Sequence, residues 1–253
     1  VSTDSGAPAA AAVELRSVSY EEDGALLALA DLAQVISDWD ACRIVGGHMV
    51  SLHVALAGVD VAHRPTGDAD LAAPVKVLAD PALAAALRRL GYRKVRGNRL
   101  ERDVGTCTAA LDLLAPAQTS RAKPNVPAGE FSVDAFPELA LALRSPGMLV
   151  TVHAALFAGP PLEPFTVAVP SIDTAIVLKA CAGRPHDAID LDRLLTAAVA
   201  GGVTLPPPPH DDKDVRLAVE FLHGPFVTHA SEQRKLTVEQ VIPRPEPREF
   251  LDL

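Results

Sequence analysis

The chain has few aromatic residues, with Phe, Trp and Tyr together making up 4% of its 253 positions, so its core must be mostly aliphatic. Cysteine is equally sparse. Cys42, Cys107 and Cys181 form no CxxC pair, and an odd, scattered set excludes a disulfide framework or a zinc site and suits a reducing cytoplasm. No apolar run approaches the roughly 18 residues that a membrane span needs, and the first residues carry no basic stretch of the kind that opens a secretory leader. The expectation is a soluble, cytoplasmic protein with no membrane partner. A surplus of positive charge is also missing. The formal net charge is −9, so the molecule as a whole does not attract phosphate backbones, and a nucleic-acid partner would need a local basic patch. One such patch exists, in the run Arg88, Arg89, Arg93, Lys94, Arg96, Arg99 and Arg102. The plainer reading of that run is a solvated helix end and hairpin. No internal repeat is visible.

The chain is long enough to bury a sizeable core, as one large domain or two small ones, and 49% of its residues are hydrophobic. Residues 1–12 are small and polar and read as a flexible terminus. Apolar spacing predicts a helix over 25–39, a short buried strand over 41–45 that ends at Gly46–Gly47, and a second helix to about Ala57. A strand begins at Asp68. Pro81 to Leu90 reads as a helix with Pro in its first turn and Gly91 after its end. Short strands joined at Gly97–Asn98 follow, then an apolar strand over 106–114, then a polar, Pro-containing loop over 117–130. A helix near 136–143 and strands near 148–156 and 165–169 complete the α/β part. Ser171 is expected to cap a helix running to Ala182, and Asp187 to cap one running to about Ala200. Pro206–Pro209 reads as a stiff spacer, 212–222 as a helix, and the remainder as an extended, Pro-rich tail. The predicted fold class is therefore α/β (α+β), a mixed sheet flanked by helices. It divides into a core over 13–169, a mainly helical region over 170–224 and a tail over 225–253.

One stretch concentrates chemistry. Gly46–Gly47 closes a strand and opens a helix, and about twenty residues later Asp68 and Asp70 stand two apart. In a strand, residues i and i+2 point to the same face, so these carboxylates would lie side by side. Crowded carboxylates repel unless protons or cations neutralise them, and hard ions such as Mg²⁺ favour oxygen ligands and bridge them to phosphates. Asp112 is a third carboxylate, set in an otherwise apolar strand where an unpartnered charge would be costly. Each feature alone is commonplace, since DxD pairs occur in loops and caps and GG is often only a turn. Lys179 is the sole lysine of an apolar helix, Arg184 is an end-of-helix charge, and Asp187 lies where an N-cap would. His53, His63 and His153 lack zinc-type spacing and read as structural residues.

The order Gly46, Gly47, then Arg64, Thr66, Asp68, Asp70 and Leu71 resembles the signature of the polymerase β-type nucleotidyltransferase superfamily, with Asp112 where its third metal-binding carboxylate falls. Further on, LKACAGRPHDAIDLDRLL is similar to the AbiEii-type branch, with Lys179, Arg184, Asp187, Asp190 and Leu191 at matching positions. Two positions depart from the pattern. His48 stands where the superfamily usually has Ser or Thr against phosphate, and His186 where the branch usually has Lys. The resemblance covers about residues 25 to 200. It implies transfer of a nucleoside monophosphate from an NTP to a hydroxyl. Mg²⁺ would be held by Asp68, Asp70 and Asp112, with Asp112 helping to activate the acceptor. Catalytic roles would extend to Lys179 and Asp187, and Gly46, Gly47, His48, Arg64, Thr66, Lys179 and Arg184 would bind the nucleotide. Implied acceptors are a tRNA 3′ end or another RNA, a protein hydroxyl or a small molecule such as an antibiotic. The branch also implies a toxin or phage-defence role with an antitoxin partner. A non-catalytic nucleotide-binding protein on the same fold is the alternative.

Overall fold

In the computed structural model, which describes residues 11–184, 187–203, 213–228 and 232–242, the chain is a mixed α+β protein with two sheets and a helical layer. The smaller sheet has the order β1 (Ala11–Arg16), β9 (Met148–Ala155), β10 (Phe165–Val169); β1 runs parallel to β9, and β10 antiparallel to it. The first strand begins at Ala11, so the flexible terminus read over 1–12 runs into ordered structure at its end. Val13 explains why. It faces inward and is buried against the sheet's apolar side.

The larger sheet carries the site. Its order is β2 (Arg43–Val45), β3 (Ala69–Ala72), β6 (Cys107–Pro116), β5 (Arg99–Val104) and β4 (Arg93–Arg96), with β8 (Phe131–Phe136) and β7 (Lys123–Ala128) continuing from the far end of β6. β3 and β6 are parallel, with Asp70 opposite Asp112, whereas β5 runs antiparallel to β6 with Arg99 opposite Asp112. Alternation along β6 sends Leu111 and Leu113 into the core and Asp112 and Leu114 to the other face.

Helix α1 (Tyr20–Val35) starts five residues earlier than its leucine pattern suggests, because Ser19 caps it. The Ser19 hydroxyl accepts from the Glu22 N–H at 3.2 Å, and the Glu22 carboxylate accepts from the Val18 N–H at 2.8 Å, a reciprocal arrangement of the capping-box kind. The helix lies across β6 so closely that a Cβ at Gly24 would sit 2.2 Å from the Thr108 carbonyl oxygen. After the single turn α3 (Val75–Leu78), α4 (Pro81–Arg89) follows expectation, with Asp80 capping through the Ala82 N–H and Pro81 in the first turn. α5 spans Leu139–Arg144.

Two regions differ from the sequence expectation. The loop read over 117–130 contains β7, and the hairpin with β8 closes at Gly129, whose φ of +60° favours glycine. Pro124 and Pro127 made β7 read as a loop, yet proline is tolerated on an edge strand. The stretch read as an extended tail contains α9 (Glu232–Val241), whose Val238, Val241 and Ile242 are buried among the helices. Pro206–Pro209, Asp211, Asp212 and His186 lie outside the described residues.

Two apolar cores result. One lies between α1 and the sheets and is built on Leu29, Leu32, Ile44, Leu71, Leu111 and Leu113. The other joins α6 (Ile172–Ala182), α7 (Asp187–Ala200), α8 (Lys213–His223) and α9 through Ile176, Leu191, Leu194 and Leu195. Helix α2 (Gly46–Ala57) belongs to both, giving Leu52 to the first and Met49, Val50 and Val54 to the second. Among the described residues no helix is long and apolar enough to cross a membrane.

Candidate active site

The site begins at the junction of β2 and α2. The helix cap is Val45, which has no side chain able to cap, so the first N–H groups of α2 have no side-chain acceptor there. Gly46 adopts φ +65°, and a Cβ on it would fall 1.7 Å from the Asp70 Oδ2 atom. Only glycine lets the helix start lie against that carboxylate. Gly47 is equally confined, since its Cβ would meet the Thr66 hydroxyl at 2.4 Å and the Arg64 Nη1 atom at 3.5 Å. Arg64 and Thr66 are thus brought to the helix N-terminus, behind the glycine pair.

Strand register then pairs Asp70 with Asp112 and Arg99 with Asp112 on one face of the sheet. Asp68 lies just before β3 and joins them through Arg99. The Arg99 Nη1 atom lies 2.9 Å from Asp68 and 3.4 Å from Asp112, while its Nε donates to Glu101 at 2.8 Å. Although burial opposes its charge, hydrogen bonds to Glu101 and Asp68 hold the Arg99 guanidinium above its ordinary pKa. The Asp70 carboxyl is pushed up to about 7, first by burial and then by the charges of Asp68 and Asp112. Burial and Asp68 also raise the pKa of Asp112, whose Oδ1 atom is buried without a hydrogen-bond partner among the described residues. Among the described residues, no three His, Cys, Asp or Glu side chains are already gathered closely enough to grip a metal ion. The aspartates nevertheless suit a hard divalent cation in kind: oxygen donors only, one of them orphaned, and one carboxyl driven toward neutrality for want of positive charge. What separates them from a ready-made metal site is Arg99.

The opposite wall is basic. Lys179, 4% exposed in α6, lies 3.1 Å from Asp187 and 2.7 Å from Asp190. Arg64 reaches Asp190 at 3.3 Å, and Arg193 approaches it at 3.9 Å. Asp187 opens α7, but its carboxylate reaches back to α6, accepting from the Arg184 N–H at 3.0 Å and Nε at 2.8 Å. Burial would raise its pKa, yet Arg184 and Lys179 outweigh burial and hold the carboxyl below the ordinary range. Among the described residues four cations surround these two carboxylates, and Lys179 and Arg184 of the four line the cleft.

Between the walls lies a cleft of about 820 Å³, lined by Gly46, Asp70, Asp112, Lys179 and Arg184, and large enough for a nucleotide. A second cavity of about 730 Å³, between the end of α1 and α4, holds Asp38, Lys76, Asp80 and Arg89 but no crowded carboxylates. The reactive arrangement belongs to the first.

His48 does not join the cleft. Its ring is buried and its Nε2 lies 3.1 Å from the Ala25 carbonyl oxygen, with the pKa lowered to about 4 by burial, so the neutral imidazole holds α2 to α1. His53 is likewise structural, bonded to the Pro170 carbonyl at 2.9 Å. The basic run also divides. Arg102 is bound to Asp31, itself held by the Tyr92 hydroxyl, whereas Arg93, Lys94 and Arg96 are exposed on edge strand β4. Arg99, bonded to Asp68 and Asp112, and Asp134 of the cleft escaped the sequence reading. Arg99 was absorbed in the basic run. Asp134 lies opposite Leu114 across β6 and β8, where it lines the cleft and accepts from the Asn125 N–H at 3.1 Å.

No family model matches the chain, and neither does any curated protein. Among solved structures, an antigenic nucleotidyltransferase-like protein from Paracoccidioides brasiliensis is similar over 88% of this chain and 93% of its own, with 15% identity and a TM-score of 0.49. A likeness at that level carries no functional weight. The chemistry has to be argued from the site's own residues.

Proposed function

We infer that the protein is a Mg²⁺-dependent nucleotidyltransferase that moves a nucleoside monophosphate from an NTP to a hydroxyl. The observation that carries this reading is one nucleotide-sized cleft lined by Asp70 and Asp112, with Asp68 beside them, next to an uncapped helix start, and by the cations Lys179 and Arg184. The triphosphate lies between them. Its oxygens accept from the first N–H groups of α2 and from Lys179 and Arg184. Asp68, Asp70 and Asp112 would hold Mg²⁺, which would supply Lewis-acid polarisation of the phosphoryl oxygens and neutralise the developing charge. The acceptor hydroxyl oxygen attacks the α-phosphorus as the bond to the bridging oxygen of the β-phosphate breaks. Pyrophosphate leaves, and Asp112, with its unpartnered Oδ1, takes the hydroxyl proton.

The exposed strand Arg93–Arg96 favours an RNA acceptor, such as a tRNA 3′ end, because Arg96 at its tip lies near enough to Asp112 to ease that carboxyl's charge. An AbiEii-type identity, with a toxin or phage-defence role and an antitoxin partner in the cytoplasm, draws on the residue pattern from Lys179 to Asp190. A protein hydroxyl is a further acceptor within the same chemistry. A second reading, a small-molecule nucleotidyltransferase, is favoured by Asp134 and Glu138 on the cleft wall, which suit a cationic acceptor. The test is incubation of the protein with each labelled NTP, Mg²⁺, and in turn total tRNA, protein and aminoglycoside acceptors. Label on RNA, lost in Asp112→Asn, is expected. Tight NTP binding without transfer to any of them would instead indicate a non-catalytic nucleotide-binding protein.

A further inference from the structure

Arg99 occupies the position that a metal ion would need. Its Nη1 atom is 2.9 Å from the Asp68 Oδ2 atom and 3.4 Å from the Asp112 Oδ2 atom, so one nitrogen bridges two of the three proposed ligands. A magnesium ion binds carboxylate oxygen at about 2.0–2.1 Å and tolerates little distortion of its octahedron. On those Oδ2 atoms it would compete with the guanidinium for the same lone pairs, and the two cations would repel at that range. Occupancy of those two oxygens is therefore competitive. The other edge of the guanidinium is held elsewhere, because Nε donates to Glu101 at 2.8 Å on the same strand. Arg99 can thus release both aspartates without losing its own counter-ion.

We propose that Arg99 is a built-in substitute cation, which holds Asp68 and Asp112 in the metal-free protein and is displaced, still tethered to Glu101, when a divalent ion enters. This rests on the reading of the three aspartates as metal ligands. Three observations support it together. The acids are not gathered into a metal grip, the cation between them comes from the neighbouring strand at a register position that faces Asp112, and Asp112 keeps one oxygen unpartnered. The device stabilises this part of the sheet without metal, at the expense of metal affinity. Metal binding then becomes dependent on a second contribution, such as the phosphates of the incoming nucleotide.

The test is a Mn²⁺ titration of the full chain without nucleotide, followed by the loss of the free-ion magnetic resonance signal and by the metal-induced rise in melting temperature. Arg99→Gln should bind Mn²⁺ about tenfold more tightly than wild type, equivalent to about 1.4 kcal/mol. Arg99→Lys keeps the charge but cannot bridge both acids, and should tighten binding about threefold. Without metal, Arg99→Gln should melt lower than wild type, and saturating Mn²⁺ should close that gap. Affinity in Arg99→Gln equal to or weaker than wild type would overturn the proposal, as would Arg99→Lys behaving like wild type, which would reduce the effect to a background field. Should Arg99→Gln fail to fold, Arg99→Lys alone decides. Asp112→Asn separates the two levels of inference. Equal affinities that Asp112→Asn abolishes would remove only the role of Arg99, whereas no Mn²⁺ binding in any form of the protein, with NTP present as well as without it, would remove the metal-dependent reading with it.

Discussion

The two walls of the cleft are unbalanced in opposite senses. On the sheet, Asp68 and Asp112 share Arg99, and the Asp70 carboxyl, buried beside them, rises to about 7. Among the helices, Lys179, Arg64, Arg184 and Arg193 surround Asp187 and Asp190, and the Asp187 carboxyl is held low. A structural ion network ordinarily neutralises itself, since uncompensated buried charge is expensive. Here Asp70 and Asp112 on one side meet Lys179 and Arg184 on the other across open space. Such an arrangement suits a ligand with negative phosphates to meet the helices and a metal ion to meet the sheet.

The largest effect should come from the basic wall. Lys179→Met strips the buried contact from both Asp187 and Asp190, so unfolding in urea should show a loss of about 3 kcal/mol, along with loss of transfer. A cost below about 1 kcal/mol would mean that Arg64 and Arg184 alone satisfy those acids, and the contrast between the walls would weaken. The acid wall should respond in the opposite direction. The folded Asp70 carboxyl lies near 7 against an ordinary 3.8, so between those values the native state keeps a proton that the unfolded chain has lost. In chelator, stability should fall as pH rises through that window. Asp70→Asn should remove this slope and be more stable than wild type by about 2 kcal/mol at pH 8, while transfer is abolished. Identical pH profiles for the two proteins would break the assignment of strain to that wall. The smallest effect is expected at Arg184, whose side chain is 57% exposed. Arg184→Ala should cost less than about 1 kcal/mol in stability yet weaken NTP binding severalfold, as calorimetry would show.

Much of the site was legible because it depends on local periodicity. The glycine pair, the two-residue spacing of Asp68 and Asp70, and Asp112 in an apolar strand all follow from short-range pattern, and all meet at one end of the sheet. Arg99 and Asp134 were not legible in the same way. Their places depend on which strands pair and in what register, and nothing local in the chain encodes that. His48 shows a different limit. A single step along a helix rotates the side chain by about 100°, enough to carry His48 from the cleft to the back of α1. The early start of α1 was readable, since Ser19 and Glu22 have capping-box spacing, but the leucine pattern drew the boundary inward. The β7–β8 hairpin was obscured by Pro124 and Pro127.

Helix α2 has a consequence for how the site comes into being. Leu52 anchors it in one core and Met49, Val50 and Val54 anchor it in the other, while its first turn touches Asp70. A chain in which only one core has condensed therefore lacks a seated helix and has no phosphate cradle. Nucleotide affinity in such a chain should emerge all at once, with the last core to close, and never in proportion to the amount of structure already formed.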